Sequence, residues 1–207
     1  NTNAIIHVLR CFENGNITHV DGSVDPVRDK GIIDTELQLK DLETVENNIG
    51  KCQKQAVAGD KNAKRKYDLL VQFKEALEQG RSARTVETDK EERKLVADLN
   101  LLTDKPVLDV CNVDEASAVS ANAHTEAVKA AIADENAEML IVAAATEADI
   151  AELETYEERQ MFLEDMGLKE SGVARLIKAA YRLLELETFF TTGADESRAW
   201  TYRKGTK

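Results

Sequence analysis

The segment Lys105-Pro106-Val107-Leu108-Asp109-Val110-Cys111-Asn112-Val113-Asp114-Glu115 decides the fold of this 207-residue chain. Its first seven residues have the composition of a buried β-strand, and Asn112 ends that strand. Residues 4–12 and 138–143 are similar short runs of branched apolar residues. Helical patterns separate the three runs, and strands that alternate with helices are typical of a parallel sheet with crossover helices. The sequence therefore predicts an α/β fold.

Two helical repeats of apolar residues fill the stretch between the first two predicted strands. One repeat has 3-4-3-4 spacing and the other 4-3-3-4 spacing; they are Leu42, Val45, Ile49, Cys52 and Ala56, then Ala63, Tyr67, Leu70, Phe73 and Leu77. Seams of this kind bury one face of a helix. The tripeptide Ala58-Gly59-Asp60 lies between them and favours a tight turn. We therefore expect an antiparallel helical hairpin of the coiled-coil type, inserted between two adjacent strands.

Shorter elements are predicted around and after this hairpin. We expect helices over residues 87–99, 124–134, 155–166 and 173–184, the first with Thr88 or Asp89 as its N-cap. Residues 188–203 have the pattern of a strand, a turn and a second strand. Trp200 and Tyr202 in this last hairpin have little partner sequence in the chain, so the hairpin is expected to belong to a further domain.

Composition and charge exclude several classes of function. Lys and Arg number 27 against 39 Asp and Glu, and a net charge of −12 disfavours broad nucleic-acid binding. The densest basic segment, Lys61, Lys64, Arg65 and Lys66, is a candidate local basic patch for nucleic acid, although a solvated helix start is the simpler interpretation. Three scattered cysteines without a pairing pattern fit a reducing cytoplasm. The three dispersed histidines predict no metal site, and no apolar run reaches the ~18 residues of a membrane span.

Candidate ligand-binding residues stand where the predicted strands end. Ligands of open α/β sheets bind at the carboxyl ends of the strands. The amide of Asn112 offers both a donor and an acceptor to the edge of a purine. Backbone N–H groups of Ala143, Ala144 and Ala145 are approachable because the side chains are small, and the ring of Phe12 can cover a base. Asn112 also fits a simple turn, and Phe12 equally fits the core.

Six segments of the chain, in order and with matching spacing, resemble one family. They are Ile6-His7-Val8-Leu9-Arg10-Cys11-Phe12-Glu13-Asn14, Ile17-Thr18-His19-Val20, Thr35-Glu36-Leu37-Gln38-Leu39, Asn112-Val113-Asp114-Glu115, Ala148-Asp149-Ile150-Ala151-Glu152-Leu153 and Arg198-Ala199-Trp200-Thr201. The family is YchF, the Obg-like ATPases within the P-loop GTPase superfamily. The resemblance extends over essentially the whole chain.

The resemblance implies three parts. Residues 1–22 and 104–186 would form part of a P-loop G-domain sheet, residues 23–103 the inserted antiparallel coiled-coil domain, and residues 187–207 the start of a TGS domain. No G-x-x-x-x-G-K-[ST] motif occurs in the chain. The phosphate-binding part, with the ligands of Mg²⁺, is therefore expected to precede the chain, and most of the TGS domain to follow it.

The resemblance also implies a site and an activity. The intact protein would bind and hydrolyse ATP, with GTP as a second candidate. Asn112 and Val113 would contact adenine, Glu115 would shape the loop, Phe12 would border the base, and residues 143–145 would supply backbone donors. Glu115 stands where ordinary GTPases carry the Asp of Asn-Lys-x-Asp, and this change relaxes guanine selection. No catalytic or metal-binding residue is assigned to this chain, which alone is expected to be inactive.

The resemblance further implies a partner, and the residues also fit two functions other than nucleotide hydrolysis. Through its helical and TGS domains the intact cytoplasmic protein would contact the ribosome or RNA in translation or stress control, with no membrane involved. The alternatives are a helical interaction module without nucleotide chemistry and a purely structural bundle.

Asp109 departs from the family pattern because it stands in mid-strand. A buried carboxylate there is costly, so we expect an exposed strand face or weakened packing.

Overall fold

The structure, a computed structural model, describes residues 2–19, 22–135 and 137–206. Two compact units are present, one formed chiefly by residues 28–106 and the other by residues 3–27 with the residues from 107 onward. The three-part division at residues 22, 104 and 187 stays a prediction. Val20, in one of the six family-like segments, lies outside the described residues.

The chain alternates strands and helices in the predicted manner. In chain order the elements are β1 (Ile5–Arg10), α1 (Pro26–Val57), α2 (Lys61–Glu78), α3 (Lys90–Lys94), β2 (Val107–Asn112), α4 (Ser117–Ser120), α5 (Ala123–Ala131), β3 (Glu138–Val142), α6 (Ala144–Glu152), α7 (Tyr156–Asp165), α8 (Gly172–Leu183), β4 (Leu186–Thr192) and β5 (Ser197–Arg203). Short 3-10 turns cover Ala83–Thr85 and Ala97–Leu99. None of the described helices combines the length and the apolar character needed to cross a membrane.

The predicted parallel sheet is confirmed. Its order is β1-β2-β3, with both pairs parallel, and a separate antiparallel pair joins β4 to β5. Cys111 on the central strand is level with Leu9 on one side and with Ile141 on the other. Because β1 and β2 are neighbours in the sheet, the helical residues between them are an insertion.

The predicted helical hairpin is also confirmed. Helices α1 and α2 share a buried core that contains Val45, Leu70 and Phe73. Their antiparallel course follows from cross-contacts: Lys74 Nζ lies 2.7 Å from Glu46 Oε1, and Gln38 Nε2 donates to the carbonyl of Gly80 at 3.0 Å. The turn between the helices uses Gly59 at φ +94°, and the Asp60 side chain caps α2.

The predicted helix over residues 87–99 is shorter in the structure. Asp89 is its N-cap and accepts a hydrogen bond from Glu92 N, as expected, but the α-helix ends at Lys94. Val96 is buried in the core of the helical unit, and the chain continues in a 3-10 turn that ends at Asn100 with φ +51°. A straight helix could not bring both Val96 and Leu101 to the same core.

A buried carboxylate joins the middle of α1 to the segment that leads out of the helical unit. Asp41 on α1 accepts hydrogen bonds from Leu102 N at 2.8 Å, from Thr103 N at 2.6 Å and from Thr103 Oγ1 at 2.6 Å. The same hydroxyl accepts from Ala83 N at 3.1 Å. Asp41 and Thr103 are both 2% exposed. Since a carboxylate accepts several bonds at once, one side chain satisfies three buried donors.

The expected exposure of the strand face at Asp109 is wrong. Asp109 is completely buried, and its Oδ1 lies 3.7 Å from Nδ1 of His7, its register partner on β1. Its neighbours in sequence, Leu108 and Val110, pack with Ala179 of α8 on the other face. The carboxylate thus lies beside the imidazole of His7 on the neighbouring strand and away from solvent.

We predict that Asp41→Ala destabilises the protein by about 3 kcal/mol, because it leaves buried N–H groups without their acceptor. The measurement is the free energy of unfolding from urea titration. Glu36→Ala, an exposed acidic residue on the same helix, is the matched control and should change stability by less than about 0.5 kcal/mol. Equal effects of the two substitutions would contradict the role of Asp41.

Candidate functional site

The carboxyl edge of the sheet stays tightly joined beyond the last residues of the strands. Cys11 N donates to the carbonyl of Asn112 at 2.8 Å, and Val113 N donates to the carbonyl of Val142 at 2.9 Å. Both ladders therefore continue for one residue past the paired strands. The segments that follow β1, β2 and β3 begin side by side, as the position of a ligand site in an open α/β sheet requires.

Asn112 and the alanine segment are brought together. The side-chain Oδ1 of Asn112 accepts a hydrogen bond from Ala144 N at 3.0 Å. The amide at the end of β2 therefore holds the chain that follows β3. With Oδ1 engaged, the donor Nδ2 of the amide is the group available to an acceptor on a ligand.

Residues 143–145 open a helix that the sequence analysis did not predict. Ala143 is the N-cap of α6, and Ala144 and Ala145 lie in its first turn. No sequence signal marks the start of this helix, because the alanines extend an apolar strand pattern and no polar capping residue precedes them. The first N–H groups of a helix have no partner within the helix, and the helix dipole adds positive potential there. Backbone donors thus point outward from this position.

The residues after Asn112 divide between core and surface. The Val113 side chain is buried among Leu9, Cys11 and Val128, so its backbone carbonyl is the group left to face a ligand. Glu115 is exposed. Asp114 holds the turn between them, because its Oδ1 accepts from Ser117 N at 2.9 Å at the start of α4.

Phe12 lies on the opposite side of Asn112 from the alanine segment, because β2 separates β1 from β3. The guanidinium carbon of Arg10 is 5.0 Å from the centroid of the Phe12 ring. Arg10 also donates to the carbonyls of Phe12, Asn14 and Ile17 at 3.2 to 3.3 Å. Arg10 therefore orders the segment that carries Phe12 and covers one face of its ring by a cation–π contact.

Asn122 is a further organising residue that the sequence analysis missed. Its Nδ2 donates to the carbonyl of Cys11 at 2.8 Å and to Ser117 Oγ at 3.2 Å, while its Oδ1 caps α5 by accepting from Thr125 N. One amide thus joins the segments that follow β1 and β2. An Asn three residues before a Thr at a helix start is the capping-box pattern that could have identified it.

Cys11 and Cys111 are neighbours under the site, and both are free thiols that are completely buried. A hydrogen bond between them lowers the pKa of Cys11 against the opposing effect of burial. The same hydrogen bond, together with burial, raises the pKa of Cys111 well above its ordinary range. Proton sharing of this kind keeps one thiol firmly protonated, in agreement with a packing role.

Within the part of the chain that the structure describes, the arrangement offers hydrogen-bonding groups at the sheet edge and no cage for a cation. Asn112 provides a polar side chain at the sheet edge, and the first turn of α6 provides backbone donors. Among residues 2–19, 22–135 and 137–206, no three His, Cys, Asp or Glu side chains are grouped so that they could hold a metal ion.

Comparison with known proteins identifies similar sequences. No family model matches the chain. The "Ribosome-binding ATPase YchF" of Bacillus subtilis is 50% identical over 206 residues, which cover 99% of this chain and 56% of the relative. The protein of the same name from Escherichia coli O157:H7 is 44% identical over 204 residues, with the same two coverages. The chain therefore spans about half the length of the curated relatives it matches.

A solved structure shares the fold. The YchF GTPase of Schizosaccharomyces pombe superposes with a TM-score of 0.86 at 30% sequence identity, over 99% of this chain and 56% of that one. The likeness covers the parallel sheet with its helical insertion. By sequence and by fold, this chain belongs to the YchF family.

Proposed function

We propose that this chain supplies the purine-recognition part of a protein that binds and hydrolyses ATP or GTP. The observation that carries the proposal is the hydrogen bond between Asn112 Oδ1 and Ala144 N. It joins a side-chain amide to the amino end of α6 at the carboxyl edge of a parallel sheet. Support comes from relatives that are named as ATPases and from a solved structure of a relative named as a GTPase.

The base would lie across Asn112 with its ring edge toward α6. The Nδ2 of Asn112 would donate to a ring nitrogen, and Ala145 N, in the first turn of α6, would donate to the exocyclic oxygen when the base is guanine. The Val113 carbonyl would accept from an exocyclic amino group. Phe12 would limit the site on the side of β1. Residues 143–145 admit a close approach because an alanine side chain is a single methyl group.

Hydrolysis is assigned to the full-length form, meaning this chain joined to the flanking segments that its longer relatives carry. The sequence of 207 residues contains no glycine-rich lysine loop for the triphosphate. Mg²⁺ would be held with the phosphates by that flanking part, since the base-binding residues are uncharged apart from Glu115. The residues of this chain would orient the base, and the phosphate chemistry would take place elsewhere in the protein.

We predict that Asn112→Ala in the full-length form raises the dissociation constants of ATP and GTP by a similar factor, about tenfold, because it removes a donor to a nitrogen that both purines share. Fluorescent derivatives of both nucleotides give the two constants. Asn100→Ala, in the helical unit, is the control and should leave both unchanged. Unaltered affinities in Asn112→Ala would contradict the base site.

Selection between the two purines is assigned to Glu115. A shorter Asp at this position would place its carboxylate to accept from both guanine N–H donors, as the Asn-Lys-x-Asp motif does. We predict that Glu115→Asp raises the affinity for GTP relative to ATP by about tenfold. Competition between the two nucleotides at equilibrium measures the ratio. An unchanged ratio would exclude Glu115 from selectivity while leaving the binding site itself intact.

The ribosome is the proposed partner, since the relatives are named for binding it. A partner of this kind would locate the protein in the cytoplasm. The helical unit and the β4–β5 hairpin, taken as the beginning of a TGS domain, would supply contacts. Ribosomal RNA repels a chain of net charge −12, so contact requires a local basic surface. Lys61 and Lys64, exposed at the start of α2, provide one.

We predict that the double substitution Lys61→Glu and Lys64→Glu weakens ribosome binding by the full-length form about tenfold at physiological salt, because both phosphate attraction and counterion release are lost. Co-sedimentation with ribosomes measures the affinity. The matched control reverses two exposed lysines of the other unit, Lys129 and Lys169. If both double substitutions weaken ribosome binding equally, the loss is caused by the change in net charge, and the assignment to α2 is wrong.

A further inference from the structure

The first turn of α6 is bound to α8 as well as to Asn112. The carboxylate of Glu147 accepts a hydrogen bond from Gly172 N at 2.5 Å and another from Val173 N at 3.1 Å. These two residues are the first of α8. A carboxylate on the leading N–H groups of a helix combines charge-assisted hydrogen bonds with a favourable helix dipole.

The contact is too close for a side chain at position 172. A Cβ added to Gly172 would lie 2.8 Å from Val142 Cγ1 and 2.9 Å from Glu147 Oε1. Glycine at this position therefore lets the start of α8 reach both the last residue of β3 and the first turn of α6. The junction between β3 and α6, where the base is proposed to bind, is thus enclosed by α8.

Helix α8 is a firm support for this contact. Arg175 Nη2 donates to the carbonyl of Ile141 at 2.9 Å. Ala179 is buried with Leu108 and Val110, and Leu140 and Val142 pack against the same cluster. An ion pair between Arg182 and Glu138 joins the far end of α8 to the start of β3. The helix is therefore held along the whole of β3, and Glu147 transmits that rigidity to α6.

We propose that Glu147 is a positioning residue for the nucleotide site. By binding the amino end of α8, it fixes the first turn of α6, whose backbone donors face the base. The inference rests on the proposed function, since it assigns the support of that same site. Glu147 does not contact the ligand, because both of its hydrogen bonds go to α8. The first turn of α6 is thus held at Ala144 by Asn112 and at Glu147 by α8.

The expected signature is a change in nucleotide affinity without a change in selectivity. Donors that are held loosely must be ordered when the base binds, so both ATP and GTP lose affinity by the same factor. The chemical step uses groups outside this segment and is unaffected. A role in stability alone would instead reduce the fraction of active protein, which lowers kcat and leaves KM unchanged.

The experiment compares steady-state hydrolysis of ATP and GTP by the full-length form and three variants. Glu147→Ala should raise KM for both nucleotides about tenfold, with kcat within twofold. Glu147→Gln, which keeps an acceptor oxygen without the charge, should give an intermediate KM. Gly172→Ala acts on the other partner of the contact and should raise KM in the same direction, so the test does not depend on one substitution.

Glu152→Ala is the matched control, because it removes an exposed carboxylate from the last turn of the same helix, α6, away from α8, and should leave KM unchanged. A normal KM in both Glu147→Ala and Gly172→Ala, with Asn112→Ala still impaired, would overturn this inference alone. A normal nucleotide affinity in Asn112→Ala would overturn the proposed base site and this inference with it. A drop in kcat at constant KM would assign Glu147 a purely structural role.

Discussion

The pairing of β1 with β2 is the constraint on which the site depends. It places Cys11 and Asn112 side by side although the helical insertion lies between them in sequence. The entropic cost of closing a loop grows only with the logarithm of its length, so a long insertion is tolerated when its own ends are fixed. Asp41, bound to Leu102 and Thr103, provides that fixation inside the helical unit. The inserted residues can therefore change extensively without altering the carboxyl edge of the sheet.

The elements with strong periodicity were predictable from sequence, and those without it were not. Buried strands and the α1–α2 seam give long runs of one pattern, so their type was evident and their ends differed by a few residues. Helix α6 was missed because Ala143, Ala144 and Ala145 suit a strand end, a loop or a helix equally well. The helix over residues 87–99 was drawn too long because local propensity cannot show where Val96 must turn into the core.

The contacts that build the candidate site are not revealed by sequence patterns at all. Asn122 reaches the carbonyl of Cys11 across 111 positions, and Glu147 reaches Gly172 across 25. Each joins a polar side chain to a backbone group. A backbone partner has no residue type of its own, so neither spacing nor composition records the pairing. The single-residue signals that exist, a capping-box Asn and a lone Gly, indicate local turns and say nothing of their distant partners.

The contact between His7 and the buried Asp109 gives a physical reason why the edge keeps its alignment. In the observed register the two side chains face each other, with Nδ1 and Oδ1 3.7 Å apart. A slip of two residues would keep every side chain on its face but set Asp109 against Ile5 or Leu9. An isolated carboxylate buried against an aliphatic side chain costs several kcal/mol. An apolar pair would tolerate both registers, so the contact between His7 and Asp109 favours the one alignment that puts Cys11 level with Val113 and Asn112 within reach of Ala144.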